Sequence, residues 1–236
     1  MGNPLTLMET RARYEQLFRQ AAAALARNEP ELDVQLADKA RDNRRGVTLI
    51  FRPAPPVQQS INTFLTELRT LAPGQYFYQP AEFHVTVLSV IPGSVAWRQR
   101  VRQWPVYRAV LAEVIKRHPA FNVAFRGVTA SPGAVLIQGF PQGDTLARIR
   151  DELRDGLHRA GVGMDLDARY KVTAAHVTAM RFQRSQPDCA RLLAFLSANR
   201  ERPFGETRVQ TLPLIWGDWY ASAERVRVLA EYGLRI

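Results

Sequence analysis

The tripeptide His-Val-Thr occurs twice, as His84-Val85-Thr86 and as His176-Val177-Thr178, with the two copies starting 92 positions apart. Each copy sits in an apolar run of strand character, FHVTVLSVI and AAHVTAMRF. The chain has four histidines, so half of them fall in matched settings. At ordinary residue frequencies such a coincidence arises on the order of once in ten thousand chains. Side chains alternate faces along a strand. His84 and Thr86 therefore share one face and Phe83, Val85 and Val87 the other, and the second copy sets His176 and Thr178 against Ala175, Val177 and Ala179. A polar face with an apolar back suits a strand that lines a cleft, so the chain must build a fold with two such strands.

The order of elements supports that arrangement. Residues 8–28 carry Tyr14, Leu17, Phe18, Ala21 and Leu25 at helical spacing, and a short polar helix is expected near 31–42. GVTLIFRP, 46–53, predicts a strand, and Val57 to Leu71 an amphipathic helix. The aromatic run from Gly74 leads into the first motif strand, which Pro92-Gly93 closes. A helix over 99–118 follows, then a hairpin of two strands around Ser131-Pro132-Gly133 with a turn of about four residues. A helix from Asp144 to Ala160, the second motif strand over 170–182, a helix after Pro187 and two final strands complete the pattern. The two halves share a rhythm. The fold class expected is α+β: two pseudo-symmetric lobes of antiparallel sheet facing each other, outer helices behind them, and a central cleft to which each half contributes one histidine.

The chain has 236 residues, of which 46% are hydrophobic, enough for a substantial core. No apolar stretch approaches the roughly 20 residues of a membrane helix, and MGNPLTLMETRARYEQ lacks the apolar segment of a secretory signal. Cys189 is the single cysteine and reads as a small apolar helix residue. A cytoplasmic location is therefore expected. The formal net charge is +10, carried almost wholly by arginine, with Lys39, Lys116 and Lys171 the only lysines. The basic residues are dispersed, which favours anionic ligands such as phosphates or RNA without forming a nucleic-acid arm.

Histidine is the side chain best suited to move protons near neutral pH. Two of them can divide the work on a phosphodiester: a neutral imidazole takes a proton from water or a ribose hydroxyl, and an imidazolium protonates the leaving oxygen. Threonine hydroxyls can donate to the non-bridging oxygens as charge develops there. This chemistry requires no metal and no cofactor, and spacings such as HExxH or CxxC are absent from the sequence. Asp165-Leu166-Asp167 reads as a solvated loop. One His-Val-Thr alone is ordinarily a half-buried structural histidine; its duplication in matched contexts points to function. His118, before Pro119, and His158, in a charged helix, are assigned no catalytic role.

With these motifs the chain resembles the two-histidine (2H) phosphoesterase superfamily, the group of bacterial 2′-5′ RNA ligases and cyclic phosphodiesterases, defined by two His-x-Thr/Ser motifs in pseudo-symmetric lobes. GVTLIF before a proline and a helix, the approach YFYQPAEF, and HVTAMR with Arg181 are similar to family features. VLSVIPG departs from the leucine and phenylalanine common in the RNA-ligase branch and leaves the substrate open. The likeness spans about residues 46–236, as one two-lobed domain, with residues 1–45 as an added helical extension. It implies catalytic roles for His84, Thr86, His176 and Thr178 and hydrolysis of a 2′,3′-cyclic phosphate or a 2′-5′ linkage at a nucleotide or RNA end. Arg181, Tyr76, Tyr78, Tyr170 and Lys171 are further candidates for contact with substrate; for Arg181 the strand parity is opposite to that of His176 unless the strand bulges. Trp216, Trp219 and Tyr220 read as packing near the last turn. Two alternatives stay open: a nucleotide- or RNA-binding module without catalysis, and a phosphoesterase for a small cyclic phosphate unrelated to RNA.

Overall fold

The computed structural model describes residues 7–167 and 171–235. Nine strands form it: β1 (Arg45–Phe51), β2 (Tyr76–Phe77), β3 (Val85–Ser94), β4 (Phe121–Ser131), β5 (Ala134–Pro141), β6 (Val177–Arg181), β7 (Pro203–Val209), β8 (Thr211–Gly217) and β9 (Arg227–Gly233). The helices are α1 (Leu7–Ala26), α2 (Pro55–Leu71), α3 (Trp97–Val101), α4 (Trp104–Ile115), α5 (Thr145–Arg159) and α6 (Cys189–Ala198). The strand order is β7-β4-β5-β6-β3-β1-β8-β9, antiparallel throughout, with β2 also paired to β6.

That order contains the two expected halves, each four strands with a motif strand at its inner edge: β3-β1-β8-β9 and β6-β5-β4-β7. They meet edge to edge through the pair Val85↔Val177, so the two sheets are one continuous surface. The lobes are not the two halves of the sequence, however. The hairpin β4–β5, which follows the first motif, lies in the lobe of the second, and β8–β9 returns to the first. Helices cross over as well. α2 packs on β7, where Phe64 stacks on Phe195 of α6 and meets Phe204 edge-on, while α5 packs on β3 and α4 on β9. Each lobe is built from both halves of the chain, which ties the two motifs into one core.

Local chemistry explains the remaining differences. The helix expected over 99–118 divides at Arg102–Gln103, because Pro105 lacks the N–H a continuous helix needs and instead begins α4 at its first turn. The hairpin turn has two residues, Pro132-Gly133, since Ser131 pairs with Ala134. Around 31–42 there is only a 3-10 turn, Val34–Asp38. TRVQTLPLIWGDWY is two strands, because β7 pairs with β4 in one lobe and β8 with β1 in the other, and the chain must cross between them at Gln210. β3 runs on through Pro92-Gly93 to Ser94. The second motif strand is short: residues 171–176 lie outside any strand, and Tyr170 lies outside the described residues.

Helix α2 shows why these segments hold. Val57, Ile61, Phe64, Leu65 and Leu68 are all buried on one face, each worth about 2 kcal/mol against exposure. The segment before β1 is also part of the core. Tyr14 of α1 is 1% exposed, and its hydroxyl donates to the Gly139 carbonyl and accepts from the Gly139 and Ala175 amides. Among the described residues no helix is long and apolar enough to cross a membrane.

Candidate active site

Both histidines stand one residue ahead of their strands, His84 before β3 and His176 before β6. Val85 and Val177 are paired across the lobe boundary. In an antiparallel register this sets His84 opposite Thr178 and Thr86 opposite His176, with a local twofold between the valines. The two histidines are then diagonal neighbours, for which backbone positions are about 7–8 Å apart. All four side chains are half-buried and line one cleft of about 170 Å³, room for roughly five or six waters, or a phosphate group and its immediate surroundings. Val85, Val87, Val177 and Ala179 are fully buried behind them.

The register also settles the parity of Arg181. Thr178 pairs with Leu136 and Met180 with Val135, so Ala179 is an extra residue on β6. The same happens on β3, where Thr86 pairs with Ile50 and Leu88 with Leu49, leaving Val87 extra. Each motif strand thus carries a β-bulge at the third position after its histidine, which turns the fifth back to the cleft face. Those fifth residues are Ser89 and Arg181, and both line the cleft. The lobes are alike up to that point and differ there: one presents a hydroxyl, the other a cation.

His84 is held from behind. Its Nδ1 lies 2.7 Å from the Glu82 carbonyl oxygen. A carbonyl can only accept, so Nδ1 carries the proton and Nε2 is the atom left for the cleft. The turn bearing that carbonyl is fixed by the buried Glu82 carboxylate, which accepts from the Gln79 and Ala223 amides, and by Arg52, which donates to the Ala81 and Phe83 carbonyls. Burial lowers the His84 pKa; the Glu82 carbonyl works against this, and Arg52 and Arg181 add to it. His176 has no such support, and its buried Nδ1 has no hydrogen-bond partner among the described residues. Burial pushes its pKa down to about 4, with Arg150, His84 and Arg181 acting in the same direction.

Arg181 is positioned by Tyr78, whose hydroxyl accepts from its Nε at 3.0 Å, and lies 3.9 Å from the Asp33 carboxylate. Tyr220 donates to Asp33 at 2.9 Å. Tyr78 is fully buried at the cleft wall, where its hydroxyl holds the arginine. Tyr76 does not line the cleft. It packs edge-on against Tyr78 at 5.1 Å and accepts a hydrogen bond from Lys39 at 2.9 Å, which occupies its hydroxyl. Lys171 lies in a separate depression with Arg13 and Arg19 and approaches Asp151 at 3.8 Å. It points away because the chain before His176 leaves the sheet. Trp219 lines the cleft, while Trp216 packs against Trp97. His118 and His158 are elsewhere, facing Glu152 at 3.3 Å and the Arg154 carbonyl at 2.8 Å.

Several residues around the cleft were not apparent in the sequence reading. Ser89 had a signal, since it follows His84 at the distance by which Arg181 follows His176. Arg150 had one too, since with Arg154 it places a cation on the apolar stripe Leu146, Ile149, Leu153, Leu157 of α5. Asp33 and Tyr14 had none, because their contacts join residues more than a hundred positions apart. Among the described residues no group of three or more His, Cys, Asp or Glu side chains is placed to hold a metal ion.

Comparison with known proteins bears on this geometry. A family model described as the 2′-5′ RNA ligase superfamily matches residues 53–219. Among solved structures, TT0787 of Thermus thermophilus superposes with a TM-score of 0.60 at 18% identity, over 81% of this chain and 98% of that one. E. coli LigT complexed with ATP superposes at 0.55 with 11% identity, over 82% and 99% of the two chains. E. coli LigT complexed with 3′-AMP also superposes at 0.55, with 13% identity, over 81% and 98%. At these identities the likeness is one of fold. No curated protein matches this chain.

Proposed function

This chain belongs to the 2′-5′ RNA ligase superfamily of 2H phosphoesterases, and we propose that it is a metal-independent phosphodiesterase acting on a 2′,3′-cyclic phosphate, or a 2′-5′ linkage, at a nucleotide or RNA end. The observation that carries this reading is the crossed arrangement of two His-x-Thr motifs about one cleft, with Arg181 at its wall. Structures of E. coli LigT with ATP, 3′-AMP and phosphate lend support, as ligands of that protein.

The reaction runs by paired proton transfer. Neutral His176 removes a proton from water, whose oxygen forms a bond to phosphorus. One ring P–O bond breaks, and the departing ribose oxygen takes a proton from the His84 imidazolium. Water is added across that bond and nothing else is consumed. With a ribose hydroxyl in place of water and a 2′-5′ linkage as product or substrate, the same two transfers serve. Burial disfavours the charged form of both histidines, but only His84 has a carbonyl, that of Glu82, to oppose it, so His84 suits the acid role; at His176 burial, then Arg150, His84 and Arg181, all favour the neutral form, which suits the base role. Thr86 and Thr178 donate to the non-bridging oxygens, and Arg181 balances their charge.

The pH dependence follows from these directions. The productive free enzyme has His176 neutral and His84 protonated. His176 sits near about 4 and His84 below the ordinary histidine value of about 6.5. A plot of kcat/KM against pH is expected to be bell-shaped, falling on the acid side as His176 gains a proton and on the other side as His84 loses one, with that second limb below the ordinary histidine range. A maximum above about pH 7.5 contradicts the assignment.

The substrate is tested with 2′,3′-cyclic nucleotides, 2′-5′ dinucleotides and oligonucleotides ending in a cyclic phosphate, each at several salt concentrations. Turnover of the oligonucleotides with an affinity that falls steeply with salt supports an RNA substrate, since several phosphate contacts release counterions. Turnover of cyclic mononucleotides alone, with a shallow slope, restricts the enzyme to small substrates. Binding of nucleoside monophosphates with no turnover of any member overturns the catalytic reading.

A further inference from the structure

The segment leading to His176 has left the sheet, so its main-chain groups need other partners. They find them on two helices. The Ala175 amide donates to Tyr14 of α1, and the Val172 carbonyl accepts from Arg154 of α5. The Thr173 and Ala174 carbonyls accept from Arg150, at 2.7 and 2.9 Å. Arg150 is 3% exposed and does more than this. Its Nη2 also donates to the Thr86 carbonyl at 2.7 Å and its Nε to the Val87 carbonyl at 2.9 Å. One guanidinium therefore grips the main chain two and three residues after His84, at the bulge, and two and three residues before His176.

We propose that Arg150 is the positioning residue of this site, setting the separation of the two histidines by holding the main chain beside each of them from a single rigid fork. The proposal rests on the two-histidine reading above. Arginine fits the task because its donors are fixed in one plane, so four carbonyls are constrained together, whereas a lysine offers three donors on a flexible stem. β3 and β6 share only the pair Val85↔Val177, which leaves their relative spacing to contacts of this kind. A displacement of about 1 Å between catalytic groups is enough to cost about a hundredfold in rate. Arg150 also brings its charge close to His176. The charged and titratable groups around His176 are Arg150, His84 and Arg181; those around Arg150 are Arg154, Tyr14, Asp151 and Asp167.

The test uses Arg150→Lys and Arg150→Met in the full chain, with folding checked by circular dichroism and thermal unfolding. Turnover of a 2′,3′-cyclic nucleotide is measured, and His176 is titrated by NMR, its signal assigned from its loss in His176→Gln. Both variants are expected to lose about a hundredfold in kcat with KM changed less than about threefold, because the binding groups remain while the reacting groups shift. His176 is expected to titrate higher in Arg150→Met, which removes a nearby positive charge, and to stay in place in Arg150→Lys. Near-normal kcat in either folded variant, or an unmoved His176 in Arg150→Met, overturns the proposal. So does failure of both variants to fold, which makes Arg150 a folding residue only; if only Arg150→Met fails, the kcat of Arg150→Lys decides. The titration needs no substrate. Should the wild-type protein turn over no cyclic phosphate, the proposed function fails, and the His176 signal still decides the role of Arg150.

Discussion

Alanine at His176 is expected to lower kcat/KM for a 2′,3′-cyclic phosphate by about three to four powers of ten, and alanine at His84 by a similar amount. Each removes one proton-transfer group, and no other histidine is near enough to substitute: His118 and His158 are engaged with α5 outside the cleft. Both side chains are half-buried on a polar face with intact valines behind them, so folding should survive. The two variants should differ in one informative respect. An acid is needed only where the leaving oxygen is basic. A phosphodiester with a nitrophenolate leaving group is therefore expected to restore much of the rate of His84→Ala and little of that of His176→Ala. Equal restoration of both, or the reverse order, contradicts the assignment of acid and base. The measurement is a pair of steady-state rates for each variant on the two substrates.

The second large effect is expected at the threonines. Val is nearly the shape of Thr and favours strands, so Thr86→Val and Thr178→Val should leave the register of β3 and β6 as it is. Each loses one hydroxyl donor at the developing charge, with an expected cost of about a hundredfold in kcat. The double variant should lose more than either single one but less than the product of the two, because both hydroxyls serve the same phosphate. Thermal stability should change little. Rates within about threefold of wild type in the double variant would show that the hydroxyls face the cleft without acting in it.

How much of this was readable in the sequence depends on whether the determinant was local. The alternation of His and Thr with buried Val and Ala is a local, period-two pattern, and the structure has it. The helical stripes of α1, α2 and α5 were visible for the same reason. What decides the site beyond that is pairing. Nothing near Val85 indicates that its partner is Val177, and nothing near the 121–141 hairpin indicates that it joins the lobe of the second motif. The bulges at Val87 and Ala179 follow from pairings with β1 and β5 and cannot be read from the motif strands alone, yet they bring Ser89 and Arg181 to the cleft. The expected strand is missing over 171–175 because Val172 to Ala175 satisfy main-chain groups with Arg150, Arg154, Asp167 and Tyr14 in place of a neighbouring strand. Composition could not have shown that a polar, unpaired segment would be held so near the core. Tyr76 and Tyr78 were visible as aromatics near the first motif; their work, fixing Arg181 and Lys39, depends on which strands fold beside them.

The most direct test of the central claim is a ³¹P NMR time course on a 2′,3′-cyclic nucleotide in the presence of EDTA, run with wild-type protein and with the His84→Ala, His176→Ala double variant. The account predicts that the wild-type protein opens the ring to a nucleoside monophosphate at a rate the chelator does not change, and that the double variant is silent over the same period. Ring opening by the double variant at a comparable rate, or loss of wild-type activity on chelation, would contradict it.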